Sequence, residues 1–186
     1  MHNSVSRKML NFRRRRLGKD RRGVAAVEFA ILLPFMAVLY LGTFEVAQVI
    51  GIYRMVEQTA STVANLVTQY TQISSSQQMP DILNASAAVL TPYRAANATV
   101  VVSCIAIDGS GNAKVAWSQA LNGTARPVGQ AMALPAAFDV PNTSVVYGEA
   151  TYNYSPVIDF LNAGSLQPHA AVFMLPRSST SITLTP

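Results

Sequence analysis

From Val24 to Phe44 the chain runs for 21 residues with a single ionisable side chain, Glu28. At ~1.5 Å per residue a helix of that length reaches ~31 Å, close to the roughly 30 Å of a bilayer's hydrocarbon core. The helical pattern does not stop there. Val46, Val49, Tyr53, Val56, Ala60, Val63, Val67 and Tyr70 recur at alternating spacings of three and four, a heptad seam. One helix is therefore expected over about residues 24–70. Its outer half has two possible partners, a second helix or the chain's own globular domain. Gly51 and the β-branched residues lower its intrinsic helicity, so it needs one of them.

The period then changes. Ser74-Ser75-Ser76-Gln77-Gln78 reads as a polar linker. Pro80-Asp81 opens a short helix with Ile82, Leu83, Ser86/Ala87 and Leu90 on one face, ended by Pro92. After it the apolar residues alternate. Thr99–Ile107 and Lys114–Ala120 read as a hairpin about the turn Asp108-Gly109-Ser110-Gly111-Asn112, with Val115, Trp117 and Gln119 on one side. Residues 122–142 are loop-like. Ser144–Tyr154 is a further strand with Val146, Ala150, Tyr152 and Tyr154 on one face. Ala171–Leu175 and Ser178–Thr185 finish the chain as one strand or two around Pro176. The expected class is α+β: a long N-terminal transmembrane helix continuing into a small antiparallel sheet domain of about four strands. The expected segments are 1–23 as a basic cytoplasmic leader, 24–44 as the span, 45–72 as the helix extension and 73–186 as the α+β domain.

Charge orients this plan. Residues 1–23 hold nine Lys/Arg and one acid, a net +8, whereas residues 24–186 are net −3. The basic residues abut the apolar span instead of spreading over a folded face. That is the positive-inside pattern, with the N-terminus cytoplasmic and the later residues outside. It argues against a nucleic-acid partner. A cleavable secretory signal competes, but its apolar region is usually about 7–15 residues, shorter than this one. Pro34 removes one helical hydrogen bond and kinks the span, while Gly42 permits close approach of another helix. The single cysteine, Cys104, excludes an internal disulfide. It lies in a β-like run, where a core position is expected and a bridge to a second chain is the alternative.

No catalytic signature is present: no G-x-S-x-G, no H-E-x-x-H, no phosphate loop. His169 has no nearby Cys or second His, so it reads as a surface histidine and not as a metal ligand. Asp108, Ser110 and Asn112 offer alternate oxygens, but one carboxylate is little charge for calcium, and a turn is expected. No enzyme activity, metal, cofactor or small-molecule substrate is anticipated. An envelope enzyme would need a pocket gathering Asp139, Glu149, Asp159 or His169. The informative group is Glu28. A carboxylate inside a span costs up to ~3.5 kcal/mol unless it finds a partner or an interface. It can snorkel to headgroups, pair with Arg22, or meet a cation from another chain.

Gly23 followed by Val24-Ala25-Ala26-Val27-Glu28-Phe29 resembles the type IV prepilin processing site: glycine, four apolar residues, glutamate, aromatic. The wider string Arg22–Pro34, continuing to Gly42 and Glu45, resembles the TadE-like proteins of the tight-adherence (Flp) pilus system. The likeness covers about residues 21–70. Beyond it, Tyr152-Asn153-Tyr154-Ser155-Pro156 and Leu175-Pro176-Arg177 are similar in general layout only. The resemblance implies cleavage after Gly23 by a prepilin peptidase, a new amine on Val24, and a role for Glu28 and Phe29 in processing or subunit pairing. It implies a pseudopilin or minor pilin in the bacterial inner membrane, with its C-terminal domain periplasmic or associated with the filament. Its partners would be other pilins, pilus assembly machinery and membrane lipid. The chain exceeds the small size of the major Flp pilin, so the resemblance implies something other than the main filament subunit, and the further large domain usual in the related TadG proteins is not expected. A signal-anchored binding or adhesion domain is the alternative from another class.

Overall fold

The computed structural model describes residues 22–156 and 164–186. The expected leader lies almost wholly outside the described residues. By its internal contacts the chain divides into two units, Met1–Phe44 and Glu45–Pro186.

The long helix α1 spans Arg22–Thr68 and is uninterrupted at Pro34. It ends in a tightened last turn, where the Gln69 and Tyr70 amides donate to the Leu66 and Val67 carbonyls. The Thr68 hydroxyl donates to the Asn65 carbonyl at 2.7 Å. Thr59 and Thr62 satisfy their hydroxyls on the carbonyls four residues back, which makes them tolerable inside a helix.

Three residues on, β1 (Gln72–Ser74) replaces the front of the expected linker. Helix α2 (Gln78–Ala88) begins two residues earlier than Pro80, which still sits in the first turn, where its missing N–H costs nothing. The Gln78 side chain accepts from the Ser74 amide at 3.0 Å. The remaining strands are β2 (Ala98–Ile107), β3 (Ala113–Leu121), β4 (Ser144–Tyr152), β5 (His169–Met174) and β6 (Thr183–Thr185). Four of them form one antiparallel sheet, ordered β3-β2-β4-β5. The fold is α+β, as the hydropathy pattern requires. The last expected strand resolves into two. β6 leaves the sheet and pairs in parallel with β1.

The outer half of α1 packs on its own domain. Its buried stripe runs Glu45, Ile52, Val56, Ala60, Val63 and Val67. The heptad seam therefore holds from Val56 to Val67 and fails on either side, because Val46, Tyr53 and Tyr70 are exposed and Ile52 is buried. A straight helix lying on a sheet keeps 3.6 residues per turn, so its buried stripe drifts ~20° per heptad away from a 3.5-residue seam. Two clusters fill the layer under α1. One joins Val63 and Val67 to Val100, Val102, Cys104, Trp117 and Val146. The other joins Ile52 and Val56 to Leu90, Ala150 and Tyr152. Cys104 is buried there, and the loss of solvent raises its thiol pKa.

A register shift between Cys104 and Ile105 pairs Cys104 with Trp117 but Ile105 with Val115, leaving Ala116 as a bulge. Cross-strand partners share a face, so Val115 and Trp117 lie on opposite faces, contrary to the simple alternation read from the sequence. Past the bulge, Ile105 and Ile107 belong to a third cluster on the far face, with Val145 and partly buried Met132, Leu134 and Phe138 of the 122–142 loop. The sheet is thus covered on both faces, in part by a stretch with no regular structure.

Candidate functional site

The residues singled out for function sit at the start of α1. Gly23 is its second residue, and a methyl added there would meet nothing within 4 Å among the described residues. Packing among the described residues therefore does not demand a glycine at 23. The same holds at Gly42. Every side chain from Gly23 to Tyr40 is exposed, with Val24 at 56% and Phe29 at 61%. This is the one helix among the described residues long and apolar enough to cross a membrane.

Val24 and Glu28 are four residues apart on a continuous helix, so they share one face about one turn apart. Side chains on a helix lean toward its N-terminus, which directs the Glu28 carboxylate back toward Val24. A backbone cut at Gly23–Val24 would place an ammonium within one turn of that carboxylate. Pro34 lies ten residues past Val24, inside the helix, and the Ala30 carbonyl loses its usual N–H donor there.

The sheet domain holds polar groups that the sequence did not single out together. Arg126, in the loop after β3, reaches Glu149 of β4 through Nε at 2.8 Å and Nη2 at 2.7 Å. Its guanidinium stands 5.3 Å from the Tyr147 ring centroid and is held above its usual pKa, mainly by the Glu149 hydrogen bond. His169 Nε2 lies 3.7 Å from the same carboxylate. Of the four residues that would mark an enzyme pocket, Glu149 and His169 come together. Asp139 sits exposed in the loop, and Asp159 is outside the described residues. The Glu149 oxygens are already engaged by Arg126, which makes the cluster a clasp between loop and sheet. Arg126 carried no sequence signal, because the loop's path across β3 and β4 cannot be read from spacing.

Asp108 spends both carboxylate oxygens on its own turn. One accepts from the Ser110 and Asn112 amides and the other from the Asn112 side chain, each at 2.9 Å. These bonds hold its pKa below the ordinary range. Among the described residues no three His, Cys, Asp or Glu side chains group as a metal site.

Glu45 is buried to 6% exposure, at the base of the domain. Nearby, the Tyr93 hydroxyl donates to Gln48 at 2.7 Å. Burial raises the Tyr154 pKa first, with Tyr93, Glu45 and Tyr152 adding to it. Glu45 therefore lies within electrostatic reach of Tyr154.

Residues 23–65 match the family model for TadE-like proteins. The match begins on Gly23 and ends three residues short of the end of α1. It therefore takes in both the exposed apolar half of the helix and most of the half packed on the sheet. The TadE-like segment suggests a Tad pilus-associated pseudopilin, and with it an association with pilus assembly machinery in general. Comparison with the curated proteins and with the solved structures gave no match.

Proposed function

We propose that this protein is a TadE-like pseudopilin that assists assembly of a tight-adherence pilus. In this reading residues 24–44 anchor it in the bacterial inner membrane, with the N-terminus cytoplasmic and the sheet domain periplasmic. A prepilin peptidase cuts after Gly23. The freed Val24 amine and Glu28 then form the recognition point for neighbouring pilins in the membrane, with Phe29 packing beside them. Pro34 and Gly42 shape the span for helix packing. The role is structural and not enzymatic, and it uses no cofactor, metal, nucleic acid or small-molecule substrate.

The observation that carries this reading is the exposed Gly23-to-Glu28 motif at the head of an apolar helix inside the TadE-like match. Among the described residues no contact accounts for the glycine. Mass spectrometry of the mature N-terminus is the test. A protein starting at Val24, with pilus formation lost in Glu28→Gln, is the expected result. An intact leader, together with normal piliation in Glu28→Gln, would overturn it. Normal piliation after an unrelated apolar anchor replaces residues 24–44 would favour a simple tethered adhesion domain instead.

A further inference from the structure

The sheet treats its two edges differently. The outer edge of β3 is covered by the loop that follows it. The Val115 amide donates to the Gln130 carbonyl, the Gly129 amide to the Val115 carbonyl and the Met132 amide to the Ala113 carbonyl. At the other end of the sheet, β5 pairs only with β4, and among the described residues no strand lies on its second edge. The ladder fixes which groups face outward there. The Tyr152 amide bonds to the Pro168 carbonyl, so the hydrogen-bonded pairs continue as 150/170, 148/172 and 146/174. The N–H and C=O groups of Ala171 and Phe173 therefore point away from the sheet. Natural edges are usually blunted by Lys, Pro or a bulge. β5 reads His169-Ala-Ala-Val-Phe-Met and contains none of them.

A groove runs between this edge and α1. One part, about 430 Å³, is lined by Ile50, Tyr53, Arg54 and Glu57 against residues 169–171. The next, about 570 Å³, continues from Glu57 to Met174 and Arg177. Ile50 and Tyr53 stay 48% and 49% exposed beyond the apolar span. Asn65 Oδ1, on the wall of the second part, is buried without a hydrogen-bond partner. Two arginines, Arg54 on α1 and Arg177 after β5, line the groove with one glutamate, Glu57 of α1, which leaves it positive. An added strand would satisfy the β5 edge. Its α1-facing side chains would cover Ile50 and Tyr53, and an acidic residue would meet Arg54 or Arg177.

We propose that this groove accepts an extended, acidic segment of another protein as a fifth antiparallel or parallel strand on β5. The inference rests on the assembly role proposed above and names the surface through which a partner is held. Main-chain bonds to Ala171 and Phe173 supply affinity, and the arginine pair supplies selectivity.

The test places a photoreactive benzoylphenylalanine at Tyr53, on the groove wall, of the full chain in the producing cells, with a control at Gln130 on the covered edge. The expected result is one adduct at 53 and none at 130. Fragment mass spectrometry should place the link in an acidic stretch of a different polypeptide. Ala171→Pro removes only an outward-facing N–H, a change edge strands tolerate. It should cut the adduct about tenfold, equivalent to about 1.4 kcal/mol, while the purified protein keeps its circular dichroism. Arg54→Glu with Arg177→Glu should do the same. A link to a second copy of this chain, a link to lipid, no link, or an adduct indifferent to both variants would each overturn the proposal. An uncut N-terminus with this adduct intact would sink the processing reading alone.

Discussion

Gly148 of β4 lies beneath α1 with no room for a side chain. A methyl there would stand 2.6 Å from the Ala60 carbonyl oxygen and 3.0 Å from Ala64 Cβ. The first of these is helix backbone, which cannot swing aside. Gly148→Ala should destabilise the domain by about 1–3 kcal/mol, the usual range for overpacking, as read from denaturant melting of the detergent-solubilised protein. Asp108 gives a pH signature. Its carboxylate is depressed by the turn's donors, so its contribution is fully present above the ordinary carboxylate range near pH 4. That contribution is lost as pH falls through the lowered folded value. Asp108→Ala should therefore lower the melting temperature at neutral pH, and the gap to the parent protein should close in acid. At this scale the sequence was informative where chemistry is local. The Asp108 turn and the buried Cys104 follow from neighbours in the chain. The Arg126–Glu149 clasp was not legible, since it joins residues through a loop path that no periodicity encodes.

Among the elements, α1 was legible in extent and only partly in facing. Its apolar residues outnumber the positions one sheet can bury, so Val46 and Tyr53 competed with Ile52 for the inner stripe, and the helix's natural period decided between them. The hairpin was legible too, but the bulge at Ala116 was not. One extra residue turns Val115 to the far face, and its hydropathy is right for either side. The pairing of β6 with β1 was hidden for another reason: a parallel register between residues 72–74 and 183–185 depends on the whole intervening chain. Trp117 helps set it. Its indole N–H donates to the Ile182 carbonyl at 2.8 Å, in a buried position. Trp117→Phe leaves that carbonyl unpaired, a loss of about 1–3 kcal/mol. Limited proteolysis should then cut between Arg177 and Ile182 well before the sheet is attacked, while the parent protein resists there.

For the molecule as a whole, one helix serves two environments. Its first half exposes nearly every apolar side chain, and its second buries a stripe on the sheet. A purified chain should therefore need detergent or lipid for solubility. A variant beginning at Glu45 should be soluble and keep the Cys104 thiol shielded from alkylation until denatured. Aggregation of that variant in the absence of detergent, or rapid alkylation of Cys104, would contradict this division of labour. The division itself could be read from hydropathy. Which sheet edge stays open could not, because the loop that closes the β3 edge looks in sequence like any other run rich in Pro and Gly.

The parallel β1–β6 pair has a mechanical meaning. β1 follows the end of α1 by three residues, and β6 lies at the other end of the chain. Tension between the helix and anything joined past Pro186 would pull β1 toward its N-terminus and β6 toward its C-terminus. In a parallel pair those pulls slide the strands past each other, so the rungs load together in place of opening one by one. The Thr183 amide to the Thr71 carbonyl and the Ser75 amide to the Thr185 carbonyl would share that load. A three-residue strand pair would then act as a shear lock at the point where the chain leaves α1.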